Sequence, residues 1–132
     1  MIYLDSNVFI YAALNADGLG SKMRQLLARV EEGSESAASS ALTFDELVWV
    51  VGKHREKEDA WEAGRAFLEL RNLKIVDVGP TVLASALEIM RKYDLAPRDG
   101  IHAASALTQG IKTMISSDGH FDKIEGLRRR FP

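Results

Sequence analysis

The first ten residues, Met1 to Ile10, constrain this chain more than any other stretch. Four largely apolar residues run into an acid, Asp5, and the small polar pair Ser6-Asn7 follows. The apolar pattern then resumes with Val8, Phe9, Ile10 and Tyr11. This reads as a short buried strand that ends at Asp5 and turns at once into a helix capped by Ser6 or Asn7. An acid at the carboxyl end of a buried parallel strand sits where open α/β sheets place their ligands. Asp5 therefore has two readings, a helix cap and a site residue, and the rest of the chain must decide between them.

Beyond Leu14, the turn formers Asn15 to Gly20 break the pattern, and a helix is expected from Ser21 to a stop at Gly33. The small residues Ser34 to Ala41 are expected to hold a second short strand. Thr43 and Glu46 have the spacing of a capping box at the head of a helix carrying Leu47, Val48, Trp49 and Val51. Lys53 to Asp59 is a charged connection, followed by a helix with Trp61, Gly64, Phe67 and Leu68 on one side. Leu73 to Val78 is β-rich and bounded by Asn72 and Gly79-Pro80, so it reads as a strand. Pro80 suits the first turn of the helix that follows. The turn Leu95 to Gly100 feeds a small-residue helix able to lie close against a sheet, and Gly110 ends it. Ile111 to Ile115 is a further strand, Ser116 to Asp122 a loop at its carboxyl end, and Ile124 to Pro132 a short tail with three consecutive arginines, Arg128 to Arg130. Strands alternating with helices imply βαβ units, and hence a three-layer α/β/α sandwich with a mostly parallel sheet and the first strand central.

A chain of 132 residues fits one domain, residues 1–132, and can bury a core without covalent staples. Its net charge of −2 argues against a strongly cationic nucleic-acid coat. The absence of cysteine excludes disulfides and thiolate metal sites. Asp5 interrupts the only early apolar run, so neither a signal peptide nor a membrane span is expected, and a cytoplasmic location is.

Four acids then fall at comparable places: Asp5 and Asp118 end strands, whereas Glu46 and Asp99 stand in the first turns of helices. In a parallel sheet, strand carboxyl ends and the following helix N-termini share one edge, so all four can meet there. Carboxylates that close repel one another unless a hard divalent cation, Mg²⁺ or Mn²⁺, removes the conflict. The chemistry such a site supports is metal-assisted hydrolysis, often of a phosphodiester. Each acid also has a local explanation. Glu46 can close the capping box, Asp99 suits the helix dipole, and Asp118 can be a turn residue before Gly119. Among other polar residues, His102 reads as a hydrogen-bonded core histidine, and His54 and His120 as surface residues. Asp45 should face away from Glu46. Asp122 reads equally as a rim or a solvated residue, and Trp49 and Trp61 as core or interface.

Four stretches together carry a pattern: Tyr3-Leu-Asp-Ser-Asn-Val-Phe-Ile10, Leu42-Thr-Phe-Asp-Glu-Leu47, Leu95-Ala-Pro-Arg-Asp-Gly-Ile-His-Ala-Ala104 and Ile115-Ser-Ser-Asp-Gly-His-Phe-Asp122. In order and spacing the chain resembles the PIN-domain ribonucleases, in particular the VapC-type toxins of prokaryotic toxin–antitoxin pairs. The resemblance implies a metal-dependent endoribonuclease with Asp5, Glu46, Asp99 and Asp118 as its acidic quartet and Mg²⁺ or Mn²⁺ as cofactor. It also implies a homodimer and an antitoxin whose tail covers the active site. Gly119 and His120 depart from the charged residues often found in that loop. RNA approaching an acidic site calls for basic residues at its rim, for which Arg98, Lys22, Arg24, Lys53, Arg55 and Lys57 are candidates.

Two rivals remain at this level. A phosphatase of the haloacid-dehalogenase type also begins with an Asp after an apolar strand, but it uses an Asp two positions later where this chain has Asn7. A non-catalytic module binding RNA or protein would have no need of an intact quartet.

Overall fold

The computed structural model describes all 132 residues. Five strands alternate with six helices: β1 Ile2–Leu4, α1 Ser6–Leu14, α2 Gly18–Glu32, β2 Ala37–Ser40, α3 Leu42–His54, α4 Lys57–Glu69, β3 Leu73–Val76, α5 Pro80–Tyr93, α6 Pro97–Leu107, β4 Thr113–Ile115 and β5 Arg128–Arg130. A 3₁₀ turn, Gly119–Lys123, joins the last two strands. The sheet order is β3-β2-β1-β4-β5 and every pairing is parallel. The expected sandwich, with β1 at its centre, is the architecture observed.

Strand periodicity explains the layers. Ile2 and Leu4 project into one apolar cluster with Val8, Phe9, Met23, Leu26, Leu47 and Phe67, from α1 to α4. Tyr3 projects the other way, into a cluster with Ala103, Ala106, Met114 and Phe121. A three-residue strand buried on both faces is thus apolar throughout, as parallel strands are. Helix α6 lies against α5 and β2. Its alanines and the Ala37-Ala38-Ser39-Ser40 strand, all buried, permit that approach. At Gly100 a Cβ would stand 2.5 Å from Met90 Cγ and 3.1 Å from the Ala86 carbonyl, so this crossing requires glycine. No helix is long and apolar enough to cross a membrane.

Several local expectations need correction. Helix α1 is capped by Asp5, not by Ser6 or Asn7: the Asp5 carboxylate accepts the Ser6 backbone N–H at 2.8 Å. Helix α2 begins at Gly18 rather than Ser21, because Asp17 caps it and accepts the Gly20 N–H. The capping box at Thr43 and Glu46 does not form. Helix α3 starts one residue earlier, Thr43 bonds Ser39 Oγ, and Glu46 turns inward instead. Asp59 shows that arrangement at the head of α4, accepting the Glu56 N–H at 3.2 Å. Trp49 and Trp61 are not core residues, being 65% and 63% exposed. The tail holds β5, paired to β4 through Arg128, Arg129 and Arg130.

Candidate active site

The sheet order places the site. From β1 the chain moves outward through β2 to β3 on one side, then returns to β4 on the other side of β1. The strand order reverses between β1 and β4, and crevices at such switch points, outside the strand carboxyl ends, take ligands in α/β sheets. Asp5 follows β1 there, its backbone N–H still donating to the Ile115 carbonyl of β4.

Asp5 is buried and fully engaged. Besides capping α1, it accepts Ser116 Oγ at 2.6 Å and the Asn7 side-chain amide at 3.2 Å, both on Oδ2. Ser116 Oγ in turn accepts the Asp118 N–H at 3.0 Å, so one hydroxyl ties the ends of β1 and β4 together. Asp118 caps the 3₁₀ turn by accepting the His120 N–H. Its local explanation and its placement at the site hold together.

Asp99 comes from the first turn of α6, which Pro97 opens. Its carboxyl is held above the ordinary value, first by burial and then by the charges of Asp118 and Asp5, with His120 pulling the other way. The His120 ring lies 3.4 Å from Asp99 and 3.2 Å from Asp118, although it is largely exposed. One ligating atom from each of Asp99, Asp118 and His120 falls within 4.8 Å of the others.

Glu46 reaches the same edge through His102. The His102 Nε2 stands 2.5 Å from Glu46 Oε1 and 3.5 Å from Asp5 Oδ1, and its Nδ1 lies 2.6 Å from the Tyr3 hydroxyl. Burial works against the imidazolium, but Glu46, Asp5 and Asp99 outweigh it and hold His102 above its ordinary value. The Tyr3 phenol is pushed well up, by burial first and by Asp5 next, so it stays protonated, and its oxygen accepts from Nδ1–H when His102 is an imidazolium. His102 is the core histidine the sequence suggested, and its partners make it a bridge between two of the acids.

All four candidate acids are therefore brought to one edge. His120, read from sequence as a surface residue, joins them despite its exposure. Asp122 turns away to pair with Arg129 at 2.8 and 3.0 Å, and that pair lowers its carboxyl below the ordinary value. Sequence reasoning missed Arg129 altogether. It also donates to the Ser116 carbonyl at 3.1 Å and so braces the loop that carries Asp118. No pattern in Arg128-Arg129-Arg130 marked it: only once β4 pairs with this segment does strand geometry turn the middle residue to the opposite face from its neighbours.

The donor set fits a divalent cation. Carboxylate oxygens dominate, no thiolate is present, and the burial and neighbouring acids that raise Asp99 disfavour its charge, a conflict a hard cation relieves. The buried Asn7 carbonyl, on the amide that contacts Asp5, has no hydrogen-bond partner within the protein.

Comparison with known proteins places the family and the fold. The PIN domain family model matches residues 2–127. Ribonuclease VapC7 of Mycobacterium tuberculosis is 26% identical over 125 residues, which span 92% of this chain and 84% of that protein. In the crystal structure of VapBC2 from Rickettsia felis bound to a promoter DNA fragment, one chain superposes with a TM-score of 0.77 at 21% identity. That superposition covers 99% of this chain and 98% of the other. Mycobacterium tuberculosis VapC20, a toxin that cleaves the sarcin–ricin loop, gives 0.77 at 16% identity, covering 92% and 93% of the two chains. With the family model running almost from end to end, this chain belongs to the PIN domain family.

Proposed function

We propose that this protein is a metal-dependent endoribonuclease, the toxin of a toxin–antitoxin pair, with Asp5, Glu46, Asp99 and Asp118 as its working acids. The observation that carries the reading is the linked acid cluster at the switch point, in a chain of this family. Asp5, Asp99 and Asp118 would hold Mg²⁺ or Mn²⁺, with His120 within reach of the same position. When bound, the cation would acidify a water and neutralise charge on the phosphoryl group.

The chain's own residues do the rest. Asp5 is fixed by Ser116, Asn7 and the Ser6 N–H, so its carboxylate needs no reordering when substrate arrives. His102 grips one oxygen of Glu46 and leaves the other without a protein partner. That oxygen orients the attacking water and takes its proton as the water oxygen bonds to phosphorus. The P–O bond to the leaving oxygen breaks, and that oxygen is protonated from solvent. Asn7 places an amide against Asp5 where the rival phosphatase needs an acid, which supports hydrolysis without a covalent phosphoenzyme. The chain works as one nuclease domain and as a homodimer in the cytoplasm, held inactive by a small antitoxin.

The test is incubation of the purified protein with cellular RNA in Mg²⁺, followed by sequencing of the new ends. Discrete cleavage sites that vanish in EDTA and in Asp5→Asn are expected. Cuts that persist at wild-type rate in Asp5→Asn would overturn the assignment.

A further inference from the structure

Beside the acidic edge lies a groove of about 400 Å³ between α2 and β5. Its floor includes Leu26 and Ile115, and Lys22, Arg29 and Arg130 stand along it. Lys22 and Arg29 are seven residues apart on α2, hence two turns and about 10.5 Å along one face. All three cations are exposed, and none is paired to a carboxylate in an ion pair of this protein. Unpaired cations converging on one groove are notable in a chain whose net charge is −2. Glu35 is the lone acid in its lining.

The groove adjoins the loop that carries the site. The Arg130 carbonyl accepts the Ser116 N–H at 3.1 Å, and the Ser116 hydroxyl holds Asp5. The next residue, Phe131, also lines the groove, and its ring lies 6.1 Å from that of Tyr11. The Tyr11 hydroxyl is 3.0 Å from Ser117 Oγ, in the loop that carries Asp118. Tyr11 and Phe131 thus pack between the site loop and the cations. Strand alternation produces it: Arg129 turns to Asp122 and the site loop, so Arg130 must face the other layer, toward α2.

We infer that this groove binds the single-stranded segment of RNA flanking the scissile phosphate. Lys22, Arg29 and Arg130 take phosphates of that segment, and Phe131 offers its ring to a base. The inference rests on the nuclease reading for its substrate. Cations in a row beside an aromatic ring are the recognition chemistry of single-stranded nucleic acid. An acidic peptide would use the cations but has no base to set against the Phe131 ring beside them.

The test measures binding alone, so it does not depend on cleavage. A fluorescent single-stranded RNA oligonucleotide is titrated with the full chain in EDTA, by anisotropy, across a salt series. Replacing Lys22, Arg29 and Arg130 together by Ala should weaken binding at least about tenfold and reduce the salt slope by about two, as expected for three lost phosphate contacts on a single strand. Arg29→Lys with Arg130→Lys should retain most of the affinity, and circular dichroism should confirm an intact fold. Unchanged affinity and slope in the triple variant would overturn the groove, even in a protein that cleaves RNA. A glutamate-rich peptide that binds through the same three residues, while RNA does not, would overturn it in favour of a protein partner. RNA binding that follows the three cations in a protein that never cleaves would uphold the groove and sink the nuclease reading instead.

Discussion

Asp5 caps a helix and, in the proposed function, serves as a site acid with the same carboxylate, and the chemistry of each role suggests how to separate them. As an N-cap it accepts the Ser6 N–H; as a site acid it contributes charge beside Ser116 and Asn7. Asn caps a helix as well as Asp does but carries no charge. Asp5→Asn should therefore melt within a few degrees of the native protein while cleavage falls at least about 100-fold, roughly 2.7 kcal/mol of transition-state stabilisation. His102 presents the opposite case, a residue whose loss is felt in stability. Replacing it by Leu leaves the Tyr3 hydroxyl and Glu46 without their partner, at a cost of roughly 2–4 kcal/mol measured by urea unfolding. Its folded-state pKa is raised, so the stability it contributes is fully present below its unfolded value and is lost as pH rises through the folded one. Melting temperatures of the native protein should fall on that alkaline side, and His102→Leu should flatten that part of the profile. Sequence brought the four acids to notice because Asp5 and Asp118 follow strands and Asp99 opens a helix, while Glu46, expected in a first turn, lies just beyond that of α3. It did not disclose which partner holds which acid, since the pairs Tyr3–His102 and Glu46–His102 are 99 and 56 residues apart. A lone exposed histidine such as His120 has no periodicity by which to be placed.

Elements matter because the site is assembled from their ends. Helix α6 delivers both Asp99 and His102, and its depth is set where Gly100 meets α5. Gly100→Ala would push its new methyl against Met90, whose side chain can bend, and toward the Ala86 carbonyl, which cannot. The expected cost is about 1–3 kcal/mol of stability, with a loss of cleavage larger than that destabilisation explains because Asp99 moves with the helix. Urea unfolding and kcat measured on the same preparation distinguish the two effects. The strands and helices with clear apolar periods were legible from residue order. Strand β5 was not, because three consecutive arginines have no hydrophobic alternation and a three-residue edge strand is defined by its neighbour, β4. The expected capping box at Thr43 failed for a related reason. Its spacing was right, but Ser39 and His102, brought in by the sheet and by α6, offered Thr43 and Glu46 better partners. Tertiary contacts overrode a local motif.

For the whole molecule, the parallel sheet concentrates acidic groups at one edge and leaves the fold carrying their repulsion. Burial first, and that repulsion second, hold Asp99 above its ordinary value, which should link stability to both protons and metal. A carboxyl raised in the folded state favours folding when protonated, so this contribution is present below its unfolded pKa and fades as pH rises through the folded one. A divalent cation should replace the proton in that role. Adding Mn²⁺ or Mg²⁺ should raise the melting temperature, and the rise should be greater near pH 8 than near pH 5, where protons compete for the same oxygens. Asp99→Asn removes one negative charge without removing bulk, so it should raise the melting temperature of the metal-free protein and shrink the metal-induced increment. Differential scanning calorimetry with and without EDTA at the two pH values tests both halves. An increment equal at both pH values and unchanged in Asp99→Asn would place the cation elsewhere on the molecule. It would leave the acid cluster as a strained but metal-free edge.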